Sequence, residues 1–349
     1  MKTAVRPDSN AVALDFRNFG LLPEPHREDW MRSFISTKST VVPSPKKAIV
    51  ELLNSCNLDC PMCRVGQYGV NIERALSIRN FESILDQLPS LESVRLNGLG
   101  ESTLVPQFSD YAKTLIRRDI RVELITNGTG QLADYSLVLE TGGHIAISWD
   151  AADKPTFERL RRPDNWENAL SRTEAVLRRR HELKKGKVSL LYTLQKANIL
   201  HLSRLFPIFE GPRPDSIIVN VAKLDSDEWL RDAFGAICEE FTRAQKEAET
   251  SSIVLFLPDQ VAGKPVPLAN TQPTCSKHCS RPWEEAVFRW NGDVQVCNMF
   301  NPFTYGNVFL NTFEEIWNNA FARLFRAKIN TGLRHPYCRD CVYFDSSYS

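Results

Sequence analysis

Ala48-Ile49-Val50-Glu51-Leu52-Leu53, then Asn54-Ser55, then Cys56-Asn57-Leu58-Asp59-Cys60-Pro61-Met62-Cys63: a short apolar run opens directly onto a loop with three thiols. Branched apolar residues concentrated in four to eight positions read as a strand. Comparable runs recur at 93–97 (SVRLN), 121–126 (RVELIT), 144–149 (HIAISW), 187–193 (KVSLLYT) and 216–222 (SIIVNVA). Amphipathic stretches separate them, at 80–88, 107–117 and 166–183. Strands alternating with helices predict βαβ units, right-handed crossovers and a parallel sheet. Six such units predict an α/β fold, a partial, open (β/α)6 barrel of TIM type. Ligand chemistry in such folds sits at the C-terminal strand ends, which is where the cysteine loop begins.

That barrel occupies residues 47–224, and the rest of the chain is read around it. Residues 1–46 carry Pro, Ser and charge on a weak apolar pattern and read as an N-terminal extension. In residues 225–273 a helix is expected over 225–247, with Trp229, Leu230, Phe234, Ile237 and Phe241 on one face, before a Pro-rich linker at 258–273. Residues 274–349 read as a small cysteine-rich module whose meagre core suits a metal staple. With 43 basic against 42 acidic residues, the chain has no field to steer it toward nucleic acid or an anionic membrane. No stretch approaches the ~20 apolar residues of a bilayer span. The opening MKTAVRPDSNAVALDF lacks an apolar signal core, which predicts a cytoplasmic protein. Clustered thiols in that compartment are metal ligands or catalytic groups before they are disulfides.

Cys56, Cys60 and Cys63 follow a C-x3-C-x2-C spacing. Four cysteines hold an ordinary 4Fe–4S cluster, so three leave one iron open to the amino and carboxylate groups of S-adenosylmethionine. Electron transfer into the sulfonium then yields methionine and a 5′-deoxyadenosyl radical; the cofactor brings the radical chemistry and the protein brings position. The competing assignment is a zinc knuckle, which ordinarily pairs C-x2-C with a second pair or with histidines.

On these residues the chain resembles the radical S-adenosylmethionine enzymes across roughly 47–224. Asn97-Gly98-Leu99-Gly100-Glu101-Ser102, after the second strand, looks like the family's GGE-type loop, with Leu99 inside the glycine pair and Ser102 where proline is common. The resemblance implies that Gly100 lets the backbone approach the cofactor and that Glu101 accepts from the methionine ammonium. Met62 falls within the cofactor-binding loop. Thr126-Asn127-Gly128 is similar to the third-strand motif and reads equally as a turn. Ser148-Trp149-Asp150, followed by Phe157-Glu158-Arg159-Leu160-Arg161-Arg162, is similar to the family's S-x-D…F-x-x-x-R pattern. It implies Ser148 and Arg161 near the cofactor carboxylate and Asp150 near the ribose, with Arg159 or Arg162 able to replace Arg161.

In the C-terminal module, WEEAVFRWNGDVQVC reads as a β-hairpin turning at Asn291-Gly292. Cys279, Cys297, Cys338 and Cys341, with Gly306-Asn307-Val308 and Phe313–Trp317 between them, resemble the twitch auxiliary-cluster module, since the related but longer SPASM module needs further cysteines after Cys341. The resemblance implies one auxiliary 4Fe–4S cluster on those four cysteines; a four-cysteine zinc site has the same count. Cys275 is a fifth thiol beside the cluster, an alternate ligand or a hydrogen-atom donor. Cys238 is a small buried hydrophobe or a thiol that quenches a substrate radical. His278 reads as structural.

The resemblance implies a small-molecule substrate, an external one-electron donor such as flavodoxin or ferredoxin, and no nucleic-acid or membrane partner. Relatives of this kind oxidise alcohol carbons of aminocyclitols and sugars, or build the molybdopterin precursor. Dehydrogenation of a secondary alcohol in natural-product biosynthesis is therefore the leading expectation. Epimerisation through Cys238 or Cys275, decarboxylation or deoxygenation of a sugar, and peptide modification are the alternatives within this chemistry. A zinc-stabilised binding module is the alternative outside it. Tyr192, Gln195 and Asn220 are candidate inward-facing polar groups, and each reads as easily as structural.

Overall fold

A computed structural model describes residues 42–63, 74–162, 166–209, 211–221, 228–268, 279, 281–297, 303–335 and 338. In chain order its elements are β1 (Lys47–Val50), α1 (Ile78–Asp86), β2 (Ser93–Leu96), α2 (Phe108–Arg117), β3 (Arg121–Thr126), α3 (Leu132–Glu140), β4 (His144–Ser148), α4 (Lys154–Arg161), α5 (Trp166–Leu183), β5 (Lys187–Leu194), β6 (Ser216–Val221), α6 (Glu228–Asp232), α7 (Phe234–Ser251), β7 (Val254–Phe256), β8 (Gln260–Val261), β9 (Lys264–Pro265), α8 (Arg281–Glu284), β10 (Glu285–Phe288), β11 (Asp293–Gln295), β12 (Thr304–Asn307), α9 (Phe313–Trp317) and α10 (Ala320–Ile329). Two compact units divide the chain: Ile49–Ile78 with Glu92–Cys275, and Arg79–Leu91 with Ser276–Ser349 and the segment ending at Ala48.

In the first unit the strands follow one another from β1 to β7 across the sheet. The pairs from β2 to β7 are all parallel. This is the expected α/β barrel architecture, with β7 as a short further strand. The buried run Val122, Leu124, Ile145, Ile147, Val188, Leu190 makes one face of the sheet. That face is the helix side: a Cβ on Gly128 would lie 3.1 Å from Ile147 Cγ2 and 3.6 Å from Thr173 Oγ1 of α5. Strand residues alternate between faces, so His144, Ala146 and Ser148 point inward.

Two readings of the 225–273 segment change. The expected single helix is two, α6 and α7, with Ala233 between them, and part of the expected linker forms the β8–β9 hairpin. Tyr192 is also reassigned. It is fully buried in register with Leu190 and Leu194, and its hydroxyl donates to the carbonyl of Asn198, so it belongs to the helix side. Gln195 is buried and caps a single helical turn at Lys196–Asn198, while Asn220 is exposed on the inward face.

The second unit contains the expected hairpin. β10 pairs antiparallel with β11 in the register Val287↔Gln295, Phe288↔Val294. Gly292 takes φ +87°, the left-handed conformation that lets a three-residue hairpin loop close. β12 adds antiparallel to β11. A capping box between Thr312 and Glu315 starts α9, and Asn319 caps α10 through the Ala322 amide at 2.8 Å.

Candidate functional site

The cysteine loop is fastened by main chain. The Glu101 amide donates to Ser55 O at 2.9 Å, the Asp59 amide to Arg162 O at 2.8 Å, and the Cys63 amide to Cys60 O at 2.9 Å. Gly100 is obligatory here, since a Cβ would sit 2.2 Å from Leu53 O and 2.5 Å from Ser55 O. The close approach that this glycine permits is therefore to the cysteine loop itself.

Donors converge on two of the thiols. The Leu58 amide lies 3.5 Å and Asn127 Nδ2 3.7 Å from Cys56 Sγ, and Arg161 Nη1 lies 4.0 Å from Cys60 Sγ. Cys60 is buried, Cys56 and Cys63 are half-buried, and all three are free thiols. Burial pushes the Cys56 thiol up to about 11, with the Leu58 amide opposing. Burial likewise raises Cys60, against the pull of Arg161. Donors aimed at sulfur stabilise a thiolate rather than a thiol, so this donor set fits an iron–sulfur cluster. Among the described residues no three His, Cys, Asp or Glu side chains converge on a single-ion position. A multi-iron cluster makes no such demand, because each of its cysteines binds a different iron. Met62 is half-buried on the same loop.

Glu101 has a different environment from the one its motif implies. It is buried, and both oxygens are engaged by protein donors: Oε1 accepts from the Thr103 amide (3.1 Å), Thr103 Oγ1 (2.7 Å) and Thr126 Oγ1 (2.9 Å), and Oε2 from the Asn127 amide (2.7 Å). The carboxylate ties the loop after β2 to the end of β3. Thr103, and Tyr135 at 3.1 Å from Thr126 Oγ1, belong to this network and were not among the sequence candidates.

Thr126-Asn127-Gly128 forms the expected turn and also reaches the cysteine loop. Asn127 Oδ1 accepts from the Thr129 amide at 2.9 Å, closing a turn, while Nδ2 donates to Asn57 Oδ1 at 2.8 Å on the cysteine loop.

Trp149 sets the parity of the β4 terminus. It is fully buried and meets Phe157, Trp166 and Phe209 with ring centroids 4.7, 5.3 and 5.3 Å away. Its neighbours Ser148 and Asp150 are thereby turned to the other side. Asp150 is fully buried: Oδ1 accepts from the Thr193 amide at 2.7 Å, and Oδ2 lies 3.4 Å from Arg161 Nε. Its neighbours are thus Arg161 and β5, where the motif implied a ribose. Arg161 also donates through Nη2 to the Ser148 carbonyl. Burial alone would lower Arg161; the carboxylate of Asp150 and the sulfur of Cys60 reverse this and hold it charged. Arg159 and Arg162 are exposed, so of the three arginines Arg161 is the one that turns inward.

Cys238 stands apart from this group. It lies on α7, which packs on the 3-10 turn Ser203–Phe209 and on β7. Cys275 and Cys341 lie outside the described residues, as does His278.

In the second unit, Cys279 is clasped by Asn330 just beyond α10: its amide donates to Oδ1 at 2.7 Å and its carbonyl accepts from Nδ2 at 3.2 Å. The Cys338 amide donates to His335 O at 2.8 Å, and Cys297 follows β11. The buried Tyr305 hydroxyl and Arg326 Nη2 have no hydrogen-bond partner among the described residues. Unspent buried donors of this kind fit an acceptor such as cluster sulfur.

Comparison with known proteins agrees with this geometry. Residues 50–196 match the radical SAM superfamily and residues 279–342 match SPASM, an iron–sulfur cluster-binding domain. The chain therefore belongs to the radical SAM enzymes that carry a SPASM domain. The first domain binds S-adenosylmethionine and a 4Fe–4S cluster, and the second binds auxiliary iron–sulfur. The chain is 22% identical over 339 residues to the tungsten-containing aldehyde ferredoxin oxidoreductase cofactor-modifying protein of Pyrococcus furiosus, covering 86% of this chain and 88% of that one. It is 26% identical over 175 residues to Fe-coproporphyrin III synthase of Methanosarcina barkeri, covering 47% and 41%. Among solved structures, Streptococcus suis SuiB bound to precursor peptide SuiA shares the fold with a TM-score of 0.62, 14% identity and coverage of 93% and 79%. Among the described residues no helix is long and apolar enough to cross a membrane.

Proposed function

We propose that the protein oxidises a hydroxyl-bearing carbon of a small polar molecule, such as a sugar, aminocyclitol or nucleoside-like compound, with electrons supplied by an external flavodoxin or ferredoxin. The supporting observation is the polar character of the inward strand face at its C-terminal end, where Asn127, Ser148 and Thr193 stand above an apolar layer of Ile125, Ala146, Leu191 and Ile218. Beneath that layer lie the Arg95–Glu123 pair at 2.9 Å and the chain His144 Nε2···Ser189 Oγ···Ser216 Oγ at 2.7 and 2.7 Å. Polar groups at the strand ends suit a ligand that offers hydroxyls to them.

In this reading Cys56, Cys60 and Cys63 hold the radical cluster, and Cys279, Cys297, Cys338 and Cys341 hold one auxiliary cluster. When bound, S-adenosylmethionine and the first cluster supply hydrogen-atom abstraction, and the auxiliary cluster supplies a one-electron acceptor. Asn127 and Arg161 steady the Cys56 and Cys60 sulfurs, and Glu101 holds the strand-end loops in register. Asp150 keeps Arg161 charged and aimed. Cys238, on α7, is given no role in this reading.

The names of the relatives favour a second reading, in which the hydroxyl or reacting carbon belongs to a cofactor precursor or a peptide. Anaerobic turnover with carbon-deuterated candidates separates the two. The first reading expects deuterium in 5′-deoxyadenosine and a carbonyl product from a free polyol. Recovery of inverted, unoxidised product would overturn it. Metal content tests the cluster assignment: about eight irons should fall to about four when Cys56, Cys60 and Cys63 are all replaced by Ala.

A further inference from the structure

Tyr305 lies on β12, alongside the strand that leads into Cys297. Its ring is enclosed by Trp317, Phe321 and Phe325, with centroids at 6.0, 6.1 and 6.1 Å. Asn319 Nδ2 holds its carbonyl at 2.6 Å. The residue is 4% exposed, and its hydroxyl has no hydrogen-bond partner among the described residues. A buried phenol normally finds a partner, because leaving it unmade costs the full desolvation of the group.

Arg326 on α10 repeats the pattern. It is 4% exposed, donates from Nε to Pro282 O and from Nη1 to Trp317 O at 2.8 Å each, and packs 4.3 Å from the Trp317 ring centre. Its Nη2 is buried and unspent. Two donors in one module are therefore dry and meet no acceptor among the described residues. α10, which carries Phe321, Phe325 and Arg326 over the Tyr305 ring, runs on to Asn330, the residue that clasps Cys279. Burial raises the Tyr305 hydroxyl and the Arg326 guanidinium opposes it, while Cys297, Cys338 and Cys279 each act on it electrostatically in the direction of burial.

We propose that Tyr305 donates a hydrogen bond to a sulfur of the auxiliary cluster, with the Arg326 guanidinium as a fixed positive charge behind it, and that the two together raise the cluster's reduction potential. Adding an electron makes the cluster more negative, and a donor at sulfur stabilises that state more than the oxidised one. This deepens the reading of Cys279, Cys297 and Cys338 as iron ligands and rests on it. It makes no demand on which substrate is oxidised.

The test uses the full chain with Cys56, Cys60 and Cys63 replaced by Ala, reconstituted anaerobically so that the module alone carries iron. In that background Tyr305→Phe keeps the ring and removes only the donor. The expected result is retained iron and about a tenfold lower reduced-to-oxidised ratio at a fixed potential, which is about 59 mV for a one-electron couple. An exchangeable-proton coupling in the reduced cluster's spectrum should vanish with it. Incorporation of 3-fluorotyrosine at position 305, a stronger donor on an almost unchanged ring, should move the ratio the other way. Unchanged potentials in both variants with iron retained would overturn the proposal, as would a module that binds zinc instead of iron. Failure of the polyol-oxidation reading is separate: it would appear in product analysis and leave this potential shift in place.

Discussion

Removing the charge of Asp150 should release an uncompensated cation beside Cys60. Asp150 Oδ2 and Arg161 Nε are 3.4 Å apart and both residues are buried. At an effective dielectric of 20, unit charges at that distance attract by about 5 kcal/mol. Asp150→Asn keeps the shape, and its carbonyl can still accept from the Thr193 amide, whose bond is 2.7 Å. The Coulomb term is lost and the guanidinium stays buried, so the expected cost is about 3–5 kcal/mol, the range for breaking a buried pair from one side. The chain has two compact units, so hydrogen exchange in a urea series, read on peptides from β4 to β5, is the suitable assay. The cost should persist in 1 M salt, since screening scarcely reaches a buried pair. Adding Arg161→Met should recover about half or more, because the stranded charge goes with it. A single-variant cost below about 1 kcal/mol, or a double variant no better than the single, would refute the reasoning.

Other consequences are as direct. Gly100→Ala drives a Cβ to 2.2 Å from Leu53 O, a backbone atom that cannot step aside; it should cost about 3 kcal/mol or more and strip iron from the first cluster while the module keeps its own. Glu101→Gln presents an amide to donors whichever way it turns; a loss of about 1–3 kcal/mol is expected, measured by the same exchange experiment. The Cys56 thiol, raised from 9.0 to about 11, binds its proton longer in the folded than in the unfolded chain. Iron-free protein should therefore keep this contribution below pH 9 and lose about 2–3 kcal/mol as pH rises toward 11. Thermal midpoints of wild type and Cys56→Ala across that window check the sign, the variant showing the smaller loss.

The barrel strands were legible because each is a run of branched residues long enough to exclude the alternatives: RVELIT at 121–126 is β3 residue for residue. β7 escaped because three residues carry no period, and only its pairing with β6 makes it a strand. α3 escaped for another reason. LADYSLVLE has apolar groups on every side, so no face stands out. The cysteines, Glu101 and Arg161 were legible as types at motif spacings, but their partners come from distant segments. Nothing local in the sequence says that Thr103 and Thr126 will occupy Glu101, or that Asp150 will turn to Arg161. For Tyr192 the structural alternative holds, because it shares parity with the buried Leu190 and Leu194.

The cysteine loop is moored by peptide groups, at Ser55, Cys60 and Arg162. A peptide group is the same whichever side chain it carries. The course of this loop is therefore written in its main chain, and the lettering around the three cysteines can change without untying it.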